Sequence, residues 1–470
     1  MEAFAAVAAT QTYCHPGCPI RPRPRCTQSF PSAAAAEAAG YRPCLRCRPY
    51  RVPPTLDRAG SDLVWRGIQL IRAGCDGGAA GDDDRAGDRI AARLGVAPDH
   101  LRRGFLEETG ATADQVARSH RAHFARRLLD ETDLPVGEVA RASGYRDRRD
   151  LAGACDDVFG VTPEGLRTRR WALDRLVADA GIALRLPFRG ELDWEAMLAQ
   201  LGERPIPGVE RIADGVYRRT VVVGDEVTVL EVAPRGTDHL VLRIALPRWD
   251  GLIRLVERAR RLFALDSEPG YGADRAGDDT VPGGLAGERP GARVPGAWDP
   301  VEAGVRAIVG QQATAAGALA IASRLVARHG TRVPGLGCPG LTHAFPSAET
   351  LACADLADLG LTRPRADTIR SFARAVVDDR IRLDRSVGLG PLVASLSAIP
   401  GIDRSVAYDI AVRTGERDVP VPAPESAEDS GWPPRRAVTA LRRWVVGRET
   451  TGARRTPVAS LPPHGTPAPA

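Results

Sequence analysis

Four cysteines near the N-terminus have the spacing of a metal site. Cys14 and Cys18 form one close pair, and Cys44 and Cys47 form a second pair after 25 intervening residues. Two such thiolate pairs can together chelate one tetrahedral ion, for which Zn²⁺ is the natural candidate. The spacing therefore predicts a single four-cysteine zinc site, and incidental cysteines are the alternative.

The segment that carries these cysteines is strongly basic, with only Glu2 and Glu37 as acidic residues. Its basic residues are Arg21, Arg23, Arg25, Arg42, Arg46, Arg48 and Arg51. Such a surface suits a polyanion such as DNA, although a solvated basic face is also consistent with it. The whole chain contains no lysine. Mechanisms that need a lysine Schiff base are therefore excluded.

Length and composition predict a multidomain globular protein. At 470 residues the chain is long enough for about three domains. No apolar run approaches the roughly 20 residues that cross a bilayer, so no membrane partner is expected. No export signal is visible, and we expect a cytoplasmic protein in a reducing compartment. Residues 1–51 hold little apolar material, so this small domain needs its metal to fold.

The residues around the cysteines carry a longer pattern. It includes Tyr13-Cys14-His15-Pro16-Gly17-Cys18 and Gly40-Tyr41-Arg42-Pro43-Cys44-Leu45-Arg46-Cys47. This pattern resembles the methyl-acceptor domain of the Ada alkylation-response regulators. The resemblance implies that the zinc-bound thiolate of Cys14 accepts a methyl group from a DNA methylphosphotriester, while Arg42, Arg46 and Arg48 bring a phosphate close to it. A purely structural zinc ion is the alternative.

Residues 60–170 have the periodicity of an all-helical domain. A helix, a turn at Leu94-Gly95-Val96 and a second helix follow one another, and the arrangement recurs around Ser143-Gly144-Tyr145. Two such units resemble the paired helix-turn-helix motifs of the AraC family. The resemblance implies DNA contacts from Arg102, Arg103, Arg148 and Arg149. A helical bundle that does not touch DNA is the alternative.

The remaining chain changes its pattern three times. Residues 182–265 contain β-branched runs separated by turn residues, which predict a small antiparallel sheet with flanking helices. Residues 266–297 are rich in Gly, Pro and Asp and predict a linker. Residues 298–450 predict a second all-helical domain, and residues 451–470 a disordered tail. The predicted fold class is thus a multidomain α+β protein.

The helical C-terminal region contains two further motifs. They are the run from Glu302 to Gln311 and Gln312, and the later Ile399-Pro400-Gly401-Ile402. Over residues 182–446 the chain resembles the helix-hairpin-helix DNA glycosylases of the AlkA, 3-methyladenine type. These enzymes flip an alkylated base out of the duplex and cut its N-glycosidic bond. The resemblance implies DNA contacts from Gln311, Gln312, Gly401 and Ile402.

Two positions depart from the glycosylase pattern. Asp403 follows the hairpin and would place a carboxylate where a DNA phosphate docks, and Pro424 stands at the position of the catalytic aspartate. Glu425 is the candidate substitute acid. The first hypothesis is a methyl acceptor fused to a monofunctional glycosylase. The second is a non-catalytic, methylation-sensing regulator with a degenerate glycosylase half. Both imply double-stranded DNA as partner, with promoter DNA and RNA polymerase as further candidates.

Overall fold

The computed structural model describes twelve stretches of the chain. They are residues 4–15, 18, 27–51, 61–74, 85–178, 180–203, 205–266, 291, 293, 295–311, 313–333 and 339–415. The predicted C-terminal tail, Gln312, Pro424 and Glu425 lie outside the described residues. Within the described stretches, no helix is long and apolar enough to span a membrane.

The N-terminal region folds as a small sheet covered by one short helix. The strands are β1 (Phe4–Val7), β2 (Thr12–Cys14), β3 (Thr27–Phe30) and β4 (Arg42–Pro43), in the order β3-β1-β2-β4. Helix α1 (Ala33–Ala38) begins at Ser32, whose hydroxyl accepts a hydrogen bond from the Ala35 N–H at 3.0 Å. The buried face of α1 is made of alanines, so the helix packs closely on the sheet. The ends of β2 and β4 meet, and each leads into one cysteine pair.

Seven helices follow and form two helix-turn-helix units. They are α2 (Asp62–Ala73), α3 (Ala86–Leu94), α4 (Pro98–Thr109), α5 (Ala113–Glu131), α6 (Val136–Ala142), α7 (Arg148–Phe159) and α8 (Pro163–Thr168). Gly67 lets α2 approach α4 closely, because a Cβ there would lie 2.6 Å from the ring of Phe105. Gly95 ends α3 in the left-handed conformation that a glycine adopts without strain. The all-helical prediction is confirmed for residues 61–74 and 85–170, the described part of this region.

Helix α5 joins the two units. It starts with a reciprocal cap, in which the Thr112 side chain accepts from the Gln115 N–H and the Gln115 side chain accepts from the Thr112 N–H at 2.8 Å. Ala113 and Ala117 at its beginning belong to the core of the first unit. The later residues, including Leu128, belong to the core that contains the second unit.

A five-stranded antiparallel sheet follows, in the order β5-β9-β8-β7-β6. Its strands are β5 (Ile182–Pro187), β6 (Glu210–Ala213), β7 (Val216–Val223), β8 (Glu226–Pro234) and β9 (His239–Ile244), flanked by α9 (Trp194–Gly202) and α10 (Leu252–Leu262). The small antiparallel sheet predicted for this region is confirmed. Its buried side chains continue the core of the second helix-turn-helix unit. At this junction the Arg185 N–H donates to the Glu131 carboxylate at 2.8 Å.

Both ends of the predicted linker are packed. Asp266 pairs with Arg260 at 2.5 Å and with Arg72 at 3.2 Å. Arg293 is 4% exposed and donates to the carbonyls of Ala264 and Leu265. Asp266 and Arg293 thus pack against neighbouring elements, and the linker over residues 266–297 stays a prediction. Residues 267–290 lie outside the described part of the chain.

The last described region consists mainly of helices. They are α11 (Pro300–Gly310), α12 (Ala315–His329), α13 (Ala348–Cys353), α14 (Arg363–Val377), α15 (Leu389–Ser397) and α16 (Arg404–Thr414), with a short pair of strands, β10 (Thr331–Arg332) and β11 (His343–Ala344). The turn between α15 and α16 is the predicted hairpin. This region also contacts the first helix-turn-helix unit. Arg93 on α3 pairs with Asp384 at 2.6 Å and with Asp379 at 2.7 Å.

Candidate metal centre and nucleic-acid interface

The fold brings the four predicted cysteines together. Cys14 ends β2, and Cys44 follows β4, where its N–H donates to the Tyr13 carbonyl at 2.9 Å. The sulfurs of Cys14, Cys18, Cys44 and Cys47 all lie within 4.8 Å of one another. A tetrahedral zinc ion with bonds of about 2.3 Å places its sulfurs on the order of 3.8 Å apart, so small side-chain adjustments close the site around it.

The electrostatics of the cluster also fit a divalent cation. The Cys14 thiol donates a hydrogen bond to the Cys47 sulfur, which lowers the pKa of Cys47 to about 5 and raises the pKa of Cys14. Four neighbouring sulfurs cannot all be thiolates unless a positive charge balances them. Cys14 and Cys18 are buried, whereas Cys44 and Cys47 are half-buried. The centre is thus shielded on one side and open on the other.

The arginines beside the cysteines divide into two groups. Arg42 and Arg46 are exposed, and the guanidinium of Arg42 lies against Gly160 at the end of α7. Arg48 is only 2% exposed, and its guanidinium pairs with Asp130 on α5 and with Asp174. A phosphate cannot reach it, which corrects the prediction that Arg48 contacts DNA. The cause is long-range, since both aspartates come from the helix-turn-helix region and the segment that follows it.

A second, part-buried contact connects the metal centre to α5. The Tyr13 hydroxyl donates to the Glu37 carboxylate at 2.6 Å, and the same oxygen lies 2.7 Å from Nε2 of His123. Burial and the neighbouring carboxylate raise the pKa of Tyr13. We did not predict this trio from the sequence. Tyr13 stands beside a ligand in the motif, but no local signal indicates His123, which is 110 residues away.

The helix-turn-helix arginines lie on exposed helix surfaces. Arg102 and Arg103 are exposed on α4, and Arg148 and Arg149 are exposed in the first turn of α7. Arg148 also pairs with Glu164 at 2.6 Å. These positions leave the four side chains accessible to a duplex, and their contacts with DNA stay a prediction.

The turn between α15 and α16 has the backbone geometry of a helix-hairpin-helix motif, but Asp403 departs from that motif at the start of α16. Gly401 has a φ of +91°, and a Cβ there would lie 2.2 Å from the Thr368 hydroxyl, so only glycine fits. Ile402 is buried and its N–H donates to the Ile399 carbonyl, which corrects its prediction as a DNA contact. Asp403 caps α16 by accepting from the Val406 N–H at 2.8 Å.

The hairpin cap also engages one of the predicted glutamines. Nε2 of Gln311 donates to the second oxygen of the Asp403 carboxylate at 3.4 Å. The carboxylate therefore occupies the helix start that the glycosylase motif offers to a phosphate.

Three family models match the chain. The metal binding domain of Ada matches residues 2–50, a helix-turn-helix domain matches residues 90–169, and the AlkA N-terminal domain matches residues 183–299. Together with the cluster of sulfurs, the first match confirms the predicted Zn²⁺ cofactor. The three matches confirm the resemblances that the motifs indicated.

One named relative matches nearly the whole chain, and others match parts of it. A probable bifunctional transcriptional activator/DNA repair enzyme AlkA from Mycobacterium tuberculosis is 34% identical over 467 residues, which are 94% of this chain and 92% of that protein. DNA-3-methyladenine glycosylase 2 of Escherichia coli is 31% identical over 48% of this chain and 79% of its own. The activator and repair enzyme Ada of Escherichia coli is 27% identical over 35% of this chain and 44% of its own. The chain belongs to the family of bifunctional transcriptional activators and DNA repair enzymes that unite Ada-type and AlkA-type domains.

Proposed function

We propose that this protein repairs alkylated DNA and regulates the response to alkylation, with Cys14 as an acceptor of methyl groups from methylphosphotriesters. The observation that carries this proposal is the four-sulfur cluster beside the exposed Arg42 and Arg46. A bound zinc ion would keep the sulfurs deprotonated and nucleophilic at neutral pH. The arginines would hold the phosphotriester, which has lost one charge, by its neighbouring phosphates.

The proposed methyl transfer is a simple displacement reaction. The sulfur of Cys14 forms a bond to the methyl carbon, and the bond from that carbon to the phosphate oxygen breaks. The oxygen keeps the electron pair, so the phosphodiester regains its negative charge and the sulfur becomes a neutral thioether. Each chain can therefore accept one methyl group. The cluster becomes less negative, and binding to DNA should tighten.

Peptide mapping tests the acceptor. The zinc-loaded protein is incubated with a duplex that contains one methylphosphotriester, and each cysteine peptide is examined by mass spectrometry. We expect one methyl group per chain, on Cys14, and none with unmodified duplex. Cys353→Ser, which removes an exposed cysteine outside the cluster, should leave uptake unchanged. A methyl group on another ligand, or no uptake, would contradict the assignment.

For the C-terminal half we propose hydrolytic removal of alkylated bases. The AlkA-type relatives and the helix-hairpin-helix motif support this activity. The absence of lysine makes the reaction monofunctional. Glu425 would replace the catalytic aspartate by stabilising the cation-like sugar. Free 3-methyladenine should be released from a methylated duplex, and Glu425→Gln should reduce that release by at least tenfold.

The competing function is a methylation-sensing regulator whose glycosylase half no longer cuts. The Asp403 cap favours it, because a carboxylate stands where the hairpin would take a phosphate. This alternative predicts methyl uptake and promoter binding without base release. In both cases we propose Arg102, Arg103, Arg148 and Arg149 as DNA contacts, and RNA polymerase as the protein partner. A cytoplasmic location stays our prediction, because it is consistent with a DNA substrate.

A further inference from the structure

Arg48 has an unusual backbone for its position. It directly follows the ligand Cys47, and its φ of +47° lies in the left-handed region, where a non-glycine residue is strained. Such a conformation persists only when surrounding contacts fix it. The contacts of Arg48 therefore indicate which interactions hold its backbone in this conformation.

The first set of contacts holds the ligand loop from Cys44 to Cys47. The Arg48 N–H donates to the Cys44 carbonyl at 2.9 Å. The side chain turns back, and its Nε donates to the Leu45 carbonyl at 3.3 Å. One residue thus bonds the loop through both its backbone and its side chain. The loop places two of the four sulfurs.

The second set of contacts holds the guanidinium of Arg48 in a buried cage. Nη1 lies 3.4 Å from the carboxylate of Asp130, which is fully buried, and it also bonds Asp174. The ring of Trp171 covers the guanidinium at 4.1 Å. Tyr50 fixes Asp130 in turn, by donating to the same carboxylate oxygen at 3.0 Å. The ligand loop is thereby tied to α5, the helix shared by both helix-turn-helix units.

We propose that Arg48 is a positioning residue for methyl transfer. It fixes the ligand loop on α5, so that the metal centre and the helix-turn-helix units keep one geometry toward the duplex. The inference rests on the proposed transfer to Cys14 and gives Arg48 a role distinct from binding phosphate. A displacement reaction is sensitive to such geometry, and a misplacement of about 1 Å can slow a reaction by about a hundredfold.

The test compares Arg48→Met with Arg46→Met in the full-length, zinc-loaded protein. Both variants lose one arginine from the same region, one buried and one exposed. Arg48→Met should lower the single-turnover transfer rate at saturating duplex by at least tenfold and should speed zinc release to a chelator. The salt dependence of duplex binding should stay unchanged. Arg46→Met should release zinc at the wild-type rate and lower the salt slope by about one.

The proposal is overturned if Arg48→Met transfers methyl groups and releases zinc at wild-type rates, or if it lowers the salt slope as a phosphate contact does. Arg48→Lys should restore part of the zinc retention, because it keeps the charge near Asp130. If Arg48→Met does not fold, Asp174→Asn carries the test, since it removes one partner and leaves Asp130 in place. A folded Asp174→Asn that releases zinc at the wild-type rate overturns the proposal.

The two proposals fail in different ways. If the wild-type protein accepts no methyl group, the proposed function fails. The zinc-release rates of the variants still show whether Arg48 holds the ligand loop.

Discussion

Neighbouring residues of the same type have different environments in this protein. Arg46 and Arg48 flank Cys47, yet one is exposed and the other is buried among carboxylates. The four zinc ligands could be predicted because their spacing is a local property of the sequence. The burial of Arg48 could not, because its partners are 82 and 126 residues away. Sequence spacing identifies ligands, whereas the residues that support them depend on the fold.

The hydroxyl of Tyr13 provides a prediction at this scale. Tyr13→Phe removes the donor to the half-buried carboxylate of Glu37, which His123 also contacts. The free energy of unfolding of the zinc domain should fall by about 1 kcal/mol, as measured by urea denaturation of the zinc-loaded protein. Tyr41→Phe is the matched control, because its hydroxyl makes only an exposed bond of 3.4 Å to Gln28. Equal stability of Tyr13→Phe and the wild type would contradict the role of this bond.

At the scale of elements, aspartates begin several helices. Asp147 accepts from two N–H groups at the start of α7, and Asp403 caps α16. From the sequence, Asp403 was expected to repel a phosphate. The structure adds that the carboxylate compensates the unpaired N–H groups of the helix start, which is what an aspartate at an N-cap does. A capping role could have been predicted from the same residue, but only once the helix start was known.

Replacing Asp403 separates its effect on the stability of α16 from its effect on phosphate binding. Asp403→Gly should change the stability of α16 by only a few tenths of a kcal/mol, because glycine is tolerated at an N-cap. It also removes a negative charge and frees N–H groups for a phosphate. We expect tighter binding to a duplex that contains an abasic-site analogue, measured by fluorescence anisotropy at fixed salt. Asp299→Gly at the start of α11 is the control. Unchanged or weaker binding by Asp403→Gly alone would show that the hairpin does not bind DNA.

Elements with a strong periodicity were predictable. The β-branched runs at Thr220–Val223 and Val227–Val232 lie within β7 and β8, and both helix-turn-helix turns occur where glycine marks them. Periodicity does not indicate the N-terminal sheet, because its strands are two to four residues long and carry too few residues to show an alternation. Ala6, Tyr13 and Phe30 of these strands share one core with the alanines of α1.

At the scale of the whole molecule, the predicted segments do not each have a core of their own. The second helix-turn-helix unit and the antiparallel sheet share one. Periodicity in a sequence shows which face of an element is apolar, but it does not show which element covers that face. Asp266 illustrates the consequence, since this residue of the predicted linker joins α2 to α10 through Arg72 and Arg260.

The Asp266 contacts predict a pH dependence of stability. Burial raises the pKa of Asp266, but Arg260 and Arg72 outweigh it and hold the pKa of this carboxyl well below its usual range. A carboxyl with a lowered pKa stabilises the fold above its unfolded pKa of about 3.9, and this stabilisation is lost as the pH falls further. Asp266→Asn should therefore reduce the free energy of unfolding by about 2 kcal/mol near neutral pH.

Urea unfolding at several pH values measures this effect. The difference between wild type and Asp266→Asn should be constant from about pH 5 to pH 7 and should shrink below about pH 4. Asp250→Asn, whose partner Arg248 is exposed at 3.6 Å, should show no measurable difference at any pH. A difference for Asp266→Asn that grows on acidification would contradict the assignment of its charge state.

Helix α5 takes part in two separate hydrophobic cores. Its two ends are buried in different cores, so neither end can turn independently of the other. Inserting one residue in its middle would rotate everything beyond it by about 100° and advance it by about 1.5 Å. The number of residues in this helix, more than their identity, sets the angular phase between α4 and α7. Relatives that read differently spaced half-sites should differ in the length of this connector, while relatives that share a spacing can vary its sequence freely.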